Sequence, residues 1–446
     1  MSELDLVRRY GTRQVPRYTS YPTAVEFSAS VGAAEHQAWL GNLQAGQKVS
    51  IYLHVPYCRE LCHYCGCHTK LVHREDMVSA YGQALRTEIE MTARFIPEGV
   101  TIARLHWGGG TPTILGGRDM AAVVATLARH FTFDGGTEHA VELDPRRLGA
   151  DLARQLADLG VNRASLGVQD LDARVQEAIG RVQPLEVVAQ AAADLRQAGI
   201  ERLNLDLIYG LPHQTSDSIS ETARQAIGLD PSRIACYGYA HLPSLKAHQR
   251  LIDETALPGP DERFLQSRTI AESFAQAGFQ AIGIDHFARA DDSLAVAARE
   301  GRLHRNFQGY TDDDLPVLIG FGASSISSLA DGYVQNISDV MAYRRELMAG
   351  RLPTARGYRL DEDDRRRAGM IERLMCDFRL EARGEAEQLL LRDAAPVLAP
   401  LEADGLIVTD EDTITVTDRG RPFVRLAAVA FDAYRQGAAM RFSRAV

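Results

Sequence analysis

Short apolar runs that are typical of buried β-strands alternate with longer amphipathic stretches through the first half of the chain. The longer stretches carry apolar residues three and four positions apart, as helices with one buried face do. Six strand–helix units in succession predict a parallel sheet with right-handed crossovers. The predicted strands are residues 49–55, 102–107, 139–143, 164–168, 202–208 and 234–239, and the predicted helices are residues 80–95, 120–130, 151–159, 185–198 and 216–227.

Polar or glycine-rich residues follow each of the six predicted strands. In a β/α barrel the carboxyl ends of all strands open on one face, and that face holds the active site. We therefore predict an α/β fold built on an incomplete, three-quarter parallel β/α barrel of about six units. The residues after the strands include Cys58, the Gly-Gly-Gly-Thr of 108–111, Glu142 and Asp144, Gln169 and Asp170, Asp206 and Tyr209, and Ala240 and His241.

A cluster of cysteines follows the first predicted strand, in the sequence Cys58-Arg-Glu-Leu-Cys62-His-Tyr-Cys65-Gly-Cys67. Three thiolates at the spacing of Cys58, Cys62 and Cys65 can hold one iron–sulfur cube from a single loop. Three ligands leave the fourth iron open, and an open iron can bind a substrate, which a four-cysteine electron carrier cannot do. The sequence therefore predicts a [4Fe–4S] cluster on these three residues.

Two alternatives to the cluster stay open. One is a zinc ion bound by Cys62, Cys65 and Cys67 with His63 or His68. Structural zinc sites, however, usually draw on two separated ligand pairs, and this sequence has no second pair. The other alternative is a set of unliganded thiols. The two remaining cysteines, at 236 and 376, are expected to be ordinary buried residues.

The charge balance excludes some classes of partner. The 446-residue chain has 49 basic and 59 acidic residues, for a net charge of −10, which argues against a dedicated nucleic-acid binder and against adhesion to an anionic membrane. The N-terminus has no apolar stretch of the signal-peptide kind, and the longest uncharged run, 315–330, is too short to span a bilayer. Clustered cysteines fit a reducing compartment, so we expect a cytoplasmic protein.

Two domains are predicted. Residues 1–355 form the catalytic domain, in which 1–48 are an N-terminal extension near the substrate pocket and the polar-aromatic stretches of 281–335 can close the barrel mouth. Residues 356–446 form a small, mainly helical, winged-helix-like lid. The lid is predicted to contain helices at 361–377, 385–402 and 422–435 and a hairpin at 405–416.

The cysteine spacing, with an aromatic residue before the last cysteine, resembles the radical S-adenosylmethionine (SAM) superfamily. Residues 108–112, Gly-Gly-Gly-Thr-Pro, resemble the segment of that superfamily that contacts the methionine amino group. The resemblance implies that the open iron chelates the amino and carboxylate groups of SAM. It also implies that one electron cleaves the C–S bond to give methionine and a 5′-deoxyadenosyl radical.

Further motifs run along almost the whole chain. They are 16–22 (Pro-Arg-Tyr-Thr-Ser-Tyr-Pro), Cys67, 106–111, 166–170, 206–212, 239–243, 285–287, 304–310 and the C-terminal Arg-Phe-Ser-Arg at 441–444. Together they resemble one family, the oxygen-independent coproporphyrinogen III dehydrogenases (oxidases) of haem biosynthesis. This resemblance implies that the radical removes a hydrogen from a propionate of coproporphyrinogen III, which then loses CO₂ and an electron to become a vinyl group. Two rounds would give protoporphyrinogen IX.

The same resemblance implies two bound SAM molecules and assigns residues to each. It implies that Cys67 lies near the second molecule, because a fourth cysteine ligand would block the open iron. Residues implied to contact the cluster-bound molecule are Tyr52, Gly109, Glu142 and Ile326. Residues implied to contact the second are Tyr64, Gly110, Thr111, Gln169, Arg181, Asp206 and Ala240.

A substrate with four propionates needs cationic or donor groups around it. The candidates by position and type are Arg17, His286, His304, Arg305 and Gln308. The reaction also requires an electron donor and an electron acceptor, neither of which the sequence identifies. We expect a monomer.

Two functional alternatives remain at this point. One is a haem-binding chaperone of the same superfamily, a subgroup that has phenylalanine in place of Cys67 and is shorter at both ends. The segment at 16–22 and the full C-terminal domain favour the dehydrogenase. The other is a different radical SAM enzyme that acts on a tetrapyrrole, such as a methyltransferase.

Overall fold

Strands and helices alternate through the first half of the structure, as the sequence predicts. The structure is a computed structural model that describes residues 2–435, so the last part of the predicted lid, with the motif at 441–444, lies outside the described residues. The strands are β1 Lys48–Val55, β2 Tyr57–Cys58, β3 Lys70–Leu71, β4 Thr101–Gly109, β5 Thr132–Leu143, β6 Arg163–Gln169, β7 Arg202–Tyr209, β8 Arg233–Gly238, β9 Gln280–Ile282, β10 His286–Ala288, β11 His304–Asn306, β12 Gly309–Thr311, β13 Leu318–Phe321, β14 Ile326–Leu329, β15 Gly332–Asn336, β16 Thr354–Arg359, β17 Arg379–Glu381, β18 Ile407–Thr409 and β19 Thr413–Val416.

All five helices predicted for the first half are present; α3, α4 and α5 begin one to five residues earlier than predicted, and α7 and α8 begin at the predicted residue. The first long helix begins five residues before the predicted start, because Glu75 and Asp76 favour a helix N-terminus although they do not extend the apolar pattern. The α-helices are α1 Glu3–Leu6, α2 Ala33–Gly41, α3 Glu75–Ala93, α4 Gly116–His130, α5 Ala150–Asp158, α6 Ala173–Ala178, α7 Leu185–Gln197, α8 Ser216–Gly228, α9 Pro260–Gln276, α10 Ser293–Arg299, α11 Val340–Met348, α12 Glu362–Asp377, α13 Gly384–Ala403 and α14 Val424–Ala428.

One twelve-stranded sheet organises the catalytic region. Its order is β16-β15-β14-β13-β1-β4-β5-β6-β7-β8-β10-β9, and the seven neighbours from β13 to β8 are all parallel. Within the described residues, the edge strands β16 and β9 do not pair with each other, so the sheet stays open. The predicted α/β class with a mainly parallel sheet is confirmed.

The region at 281–335 contains more regular structure than the sequence predicts. It supplies β10 to β15, including β13, which adds a seventh parallel strand beside β1. These strands are three to five residues long. Runs this short show too few alternations for a period of two to be recognised. The strand β16, at 354–359, crosses the predicted domain boundary.

The C-terminal part contains α12, α13 and the hairpin β18–β19 that the sequence predicts, and β17 pairs with β19 to make a three-stranded sheet. The predicted helix at 422–435 is wrong as a single helix. Its place is taken by the five-residue α14 between short 3₁₀ turns. Asp432 takes an extended backbone conformation that interrupts the helical path.

The two ends of the described chain share one hydrophobic core. Leu6, Val7 and Tyr10 pack in the same buried cluster as the apolar residues of α12, α13 and α14. The Tyr10 hydroxyl donates to the backbone oxygen of Pro400 at 3.3 Å, and the Tyr18 hydroxyl donates to Asp432 at 2.9 Å. The first part of the N-terminal extension, up to Tyr21, is therefore a structural part of the C-terminal unit, whereas Trp39 and Leu40 of α2 pack in the core of the main sheet. No helix among residues 2–435 is both long enough and apolar enough to cross a membrane.

Removing the buried Leu6 side chain tests this shared core. Leu6→Ala should lower the free energy of unfolding by about 2–5 kcal/mol, because a fully buried leucine is replaced by a cavity. The matched control is Leu389→Ala on α13, where the side chain is 52% exposed and the loss should be below about 0.5 kcal/mol. Denaturant unfolding measures both, and equal stabilities for the two variants would contradict the shared core.

Candidate active site

A cavity of about 830 Å³ opens at the carboxyl ends of the parallel strands. It brings together residues from β1 to β12 and from the N-terminal extension. All but two of the predicted site residues line it. The predicted residues that line the cavity are Arg17, Tyr52, Cys58, Cys62, Tyr64, Cys65, Cys67, Gly109, Gly110, Thr111, Glu142, Gln169, Arg181, Asp206, Ala240, His286, Arg305 and Gln308.

Hydrogen-bond donors surround the sulfur atoms of the cysteine loop. The hydroxyl oxygens of Thr69 and Thr111 lie 3.1 Å and 3.6 Å from the sulfur of Cys58, and Arg181 donates from Nη1 to the sulfur of Cys62 at 3.4 Å. Donors directed at sulfur stabilise the thiolate form, which is the form that binds metal. This donor set fits a loop that holds an iron–sulfur cluster.

The thiols themselves are free, with no disulfide among the described cysteines. Burial raises the pKa of Cys58, and the two threonine hydroxyls oppose that effect. A hydrogen bond between Cys67 and Cys65 lowers the pKa of Cys65 and raises that of Cys67. Within residues 2–435, no three His, Cys, Asp or Glu side chains are arranged to hold a single metal ion.

A second segment holds the cysteine loop by its backbone. Three polar side chains within residues 246–249 contact backbone carbonyl groups of the loop. Lys246 donates to Cys67 O at 2.8 Å, and Gln249 donates to Tyr64 O at 2.9 Å. His248 Nε2 lies 2.7 Å from Cys65 O. Sequence reasoning missed these residues, because they lie about 180 positions from the cysteines and carry no pattern of their own.

The glycines at 108–110 allow the backbone to pass where a side chain would collide. A Cβ on Gly108 would lie 2.7 Å from a Glu142 oxygen, and one on Gly110 would lie 2.5 Å from Tyr57 O. Gly109 has φ +112°, a conformation that favours glycine. Its N–H donates to Glu142 Oε2 at 3.1 Å. The segment therefore forms a close-fitting backbone cradle against Glu142.

Glu142 remains ionised although it is largely enclosed. Burial raises its pKa, but the hydrogen bond from His106, the His106 charge and the Gly109 N–H outweigh burial and hold the pKa below its usual range. His106 Nε2 lies 3.3 Å from Glu142 Oε1. Tyr52 lies beside this pair, with its ring stacked 5.9 Å from that of His106. An anionic acceptor is thus available at the end of β5.

The ends of β6 and β7 carry a second group of polar residues. Gln169 has φ +66°, and the β6–β7 pairing shifts register beside it. Such strain in a non-glycine residue is typical of functional sites. Arg181 donates to Gly167 O at 2.7 Å and lies 3.3 Å from Asp144. Burial raises the pKa of Asp206 to about 6, against the hydrogen bonds from Ser165 and Asn204.

Three arginines interact electrostatically with one carboxylate, and two of them, Arg17 and Arg305, line the cavity. Arg305 Nε donates to the backbone oxygen of Arg17 at 3.2 Å, and its guanidinium lies 4.2 Å from the centre of the Tyr310 ring. Burial and the charges of Arg17 and Arg305 together lower the pKa of Arg425 to about 10. The carboxylate is that of Asp285. Because cations outnumber the anion here, this region favours an anionic ligand.

Two predicted residues do not line the cavity. Ile326 begins β14, and its backbone oxygen lies against Gly320 of β13. His304 begins β11, and its Nδ1 lies 3.1 Å from Glu372 of α12. The structure thus places His304 at the contact between the catalytic region and the C-terminal unit.

The sequence also gave no separate role to Asp285 and Arg425. Asp285 was visible within the motif at 285–287, directly before a predicted site residue. Arg425 lies in a short helix at the far end of the chain, and no sequence signal separates it from the many other arginines.

Comparisons with known proteins identify relatives of the whole chain. Residues 52–226 match the Radical SAM superfamily. The oxygen-independent coproporphyrinogen III oxidase of Bradyrhizobium diazoefficiens is 47% identical over 99% of each chain, and that of Escherichia coli K12 is 40% identical over 100% of this chain and 98% of the other. The solved structure of coproporphyrinogen III oxidase from Escherichia coli, described as a radical SAM enzyme, matches with a TM-score of 0.89 and 37% identity over 95% of this chain and 100% of that one.

The fold and the cysteine loop define a radical SAM protein, a superfamily that uses a [4Fe–4S] cluster and SAM. Within that superfamily, the chain belongs to the oxygen-independent coproporphyrinogen III oxidases. It is therefore an oxidoreductase, and the family predicted from the sequence is confirmed.

The raised pKa of Asp206 gives a prediction on stability. A carboxyl group with a pKa near 3.8 unfolded and about 6 folded lowers the stability as pH rises through that interval. Asp206→Asn removes this loss, so the variant should gain roughly 1–3 kcal/mol relative to the parent between about pH 4.5 and about pH 7.5. Thermal unfolding of the metal-free protein measures the difference.

Asp158→Asn serves as the control, since it makes the same carboxylate-to-amide change at an exposed position. A stability difference between Asp206→Asn and the parent that stays constant across the whole pH interval would report only altered hydrogen bonds and would contradict the raised pKa.

Proposed function

We propose that this chain converts two propionate side chains of coproporphyrinogen III to vinyl groups and so forms protoporphyrinogen IX. The observation that carries the proposal is that one cavity is lined both by the cysteine loop and by Arg17 and Arg305. The names of the full-length relatives support the same substrate. A cofactor site and an anion-binding region in one cavity are what a radical attack on a propionate requires.

Cys58, Cys62 and Cys65 would hold a [4Fe–4S] cluster, which fits the donors directed at their sulfur atoms. When bound, the cluster would supply the electron that cleaves SAM, and SAM would supply the radical that takes a hydrogen atom from a propionate before that propionate loses CO₂ and one electron. The protein binds and orients the reactants. The backbone at 108–110 and Glu142 provide acceptors and donors close to the cysteine loop.

We further propose that the cavity binds two SAM molecules, because the residues implied to contact SAM lie on two different groups of strands. Tyr52, Gly109 and Glu142 lie on β1, β4 and β5, beside the cysteine loop. The contacts implied for the second molecule include residues at the ends of β6 to β8 and the Arg181 guanidinium. Arg181 can bind a carboxylate, and Asp206 can accept hydrogen bonds from ribose hydroxyls.

The C-terminal unit is proposed as a winged-helix-like lid on an incomplete barrel. Its order of helix, strand, helix and two-stranded hairpin supports the winged-helix-like fold. Contacts from α12 to residues that line the cavity support the position as a lid, since the Tyr310 hydroxyl donates to Met375 O at 2.8 Å and the backbone N–H of Arg305 donates to Glu372 at 3.3 Å.

We also infer a cytoplasmic monomer that takes electrons from a separate donor and passes them to a separate acceptor. The free cysteines support a reducing compartment.

The direct test is anaerobic reconstitution with iron and sulfide, followed by turnover with coproporphyrinogen III, SAM and dithionite. The expected product has lost two CO₂ and four hydrogen atoms relative to the substrate, which mass spectrometry measures. A gain of methyl groups would indicate a methyltransferase, and stoichiometric haem binding without turnover would indicate a chaperone. A colourless protein with one zinc would reject the cluster.

Removing one ligand tests the cysteine assignment. Cys62→Ser should reduce the iron content from about four per chain to below about one, because two thiolates do not hold the cluster. The matched control is Cys376→Ser, a buried cysteine of the C-terminal unit, which should retain the iron. Iron analysis and the visible absorption near 400 nm measure both variants, and full iron in Cys62→Ser would reject that residue as a ligand.

Arg17 tests the substrate side. Arg17→Ala should raise the KM for coproporphyrinogen roughly tenfold or more with little change in kcat, because it removes a charged hydrogen bond to a propionate. The exposed Arg13→Ala, four residues earlier, should leave KM unchanged. Steady-state kinetics decide, and an unchanged KM in Arg17→Ala would remove this residue from the binding site.

A further inference from the structure

Asp285 places a negative charge in the part of the cavity that otherwise carries arginines. It lies in the turn between β9 and β10 and lines the cavity, with its side chain 12% exposed. Its Oδ1 lies 2.7 Å from His286 Nδ1. Among residues 2–435, no donor is within hydrogen-bonding distance of its Oδ2. One oxygen of a mostly buried carboxylate is therefore left for another donor.

The surroundings keep this carboxylate ionised. Burial raises the pKa of Asp285, but the His286 hydrogen bond and the charges of His286, Arg305 and Arg17 hold it at about 2. The Nη1 of Arg305 is buried and has no hydrogen-bond partner among the described residues. The site thus presents an unsatisfied cation beside a carboxylate with an open oxygen.

An ionised carboxylate in the substrate region repels the propionates of coproporphyrinogen unless it faces hydrogen-bond donors of the substrate instead. Four propionates surround the rim of coproporphyrinogen, and each would be repelled by Asp285. The only donors of the ionised substrate are the four pyrrole N–H groups at its centre. The protein has a carboxylate with arginines around it, and the substrate has N–H donors with carboxylates around them, so the two charge arrangements are complementary.

Other acidic residues of the cavity have different partners. Asp144 pairs with Arg146 at 2.7 Å, and Asp312 pairs with Arg104 at 3.3 Å. Glu142 and Asp206 lie on the cofactor side. Asp285 lines the cavity together with Arg17 and Arg305, and its one side-chain hydrogen bond among residues 2–435 is to His286.

We propose that Asp285 accepts hydrogen bonds from the pyrrole N–H groups of the tetrapyrrole while Arg17 and Arg305 bind its propionates. The inference rests on the proposed function and adds a basis for selectivity. In the oxidised porphyrin, two of the four nitrogens lose their protons and present lone pairs, which a carboxylate repels. Asp285 therefore selects the reduced macrocycle over the porphyrin with the same four propionates.

The test compares two ligands on the reconstituted enzyme under anaerobic conditions. The dissociation constant of coproporphyrin III comes from its absorption change, and that of coproporphyrinogen III from competition against it. The unmodified enzyme should bind the porphyrinogen at least about tenfold more tightly, as expected for a hydrogen bond to a charged group. Asp285→Asn should reduce this preference to below about threefold.

Arg305→Lys is the contrasting variant, since it should weaken both ligands by similar factors and preserve the preference. Asp291→Asn, an exposed aspartate of the following loop, should change neither affinity. If Asp285→Asn does not fold, the unmodified enzyme still decides, because equal affinity for porphyrin and porphyrinogen would overturn the proposal. Unchanged preference in Asp285→Asn would also overturn it.

These outcomes are separate from failure of the proposed function. If the unmodified enzyme neither binds nor converts coproporphyrinogen, the proposed function itself is wrong. If it converts the substrate but Asp285→Asn keeps the same selectivity, only the role of Asp285 is wrong.

Discussion

The parallel pairing of β1, β4, β5, β6, β7 and β8 is the constraint on which the site depends. Parallel neighbours present their carboxyl ends at one edge, so residues from six separate parts of the chain meet without any contact in sequence. Tyr52, Glu142, Asp206 and Ala240 converge for this reason. The cysteine loop enters the same space because it directly follows β1.

Charge divides the cavity into two regions. Near the cysteine loop, the available groups are the Glu142 carboxylate, backbone atoms of the glycine segment and the Arg181 guanidinium, which lies 3.4 Å from the sulfur of Cys62. On the other side are the guanidinium groups of Arg17 and Arg305. A cofactor with hydroxyl and ammonium groups and a substrate with carboxylates are therefore drawn to different sides of one space, which brings their reacting atoms together.

The sequence predicted the six central strands and most of the cavity lining, because each strand is long enough to show its apolar pattern and ends in residues of distinct chemistry. It failed where regular structure is short, as in β13, and where the cause is tertiary. The break in the predicted helix at 422–435 depends on how Asp432 and its neighbours pack against the N-terminal segment. The grip of Lys246 and Gln249 on the cysteine loop likewise has no local signature.

The shared core of the two chain ends has a consequence for biosynthesis. On a ribosome, Leu6 and Tyr10 emerge long before α12, α13 and α14, against which they pack. The central strands can pair while the nascent N-terminal segment still lacks its partners. Arg17 follows that segment and lines the cavity, so its place there is fixed only once α12 to α14 have been made. The cysteine loop and its strands are made earlier, so they can fold while the Arg17 side of the cavity is still incomplete.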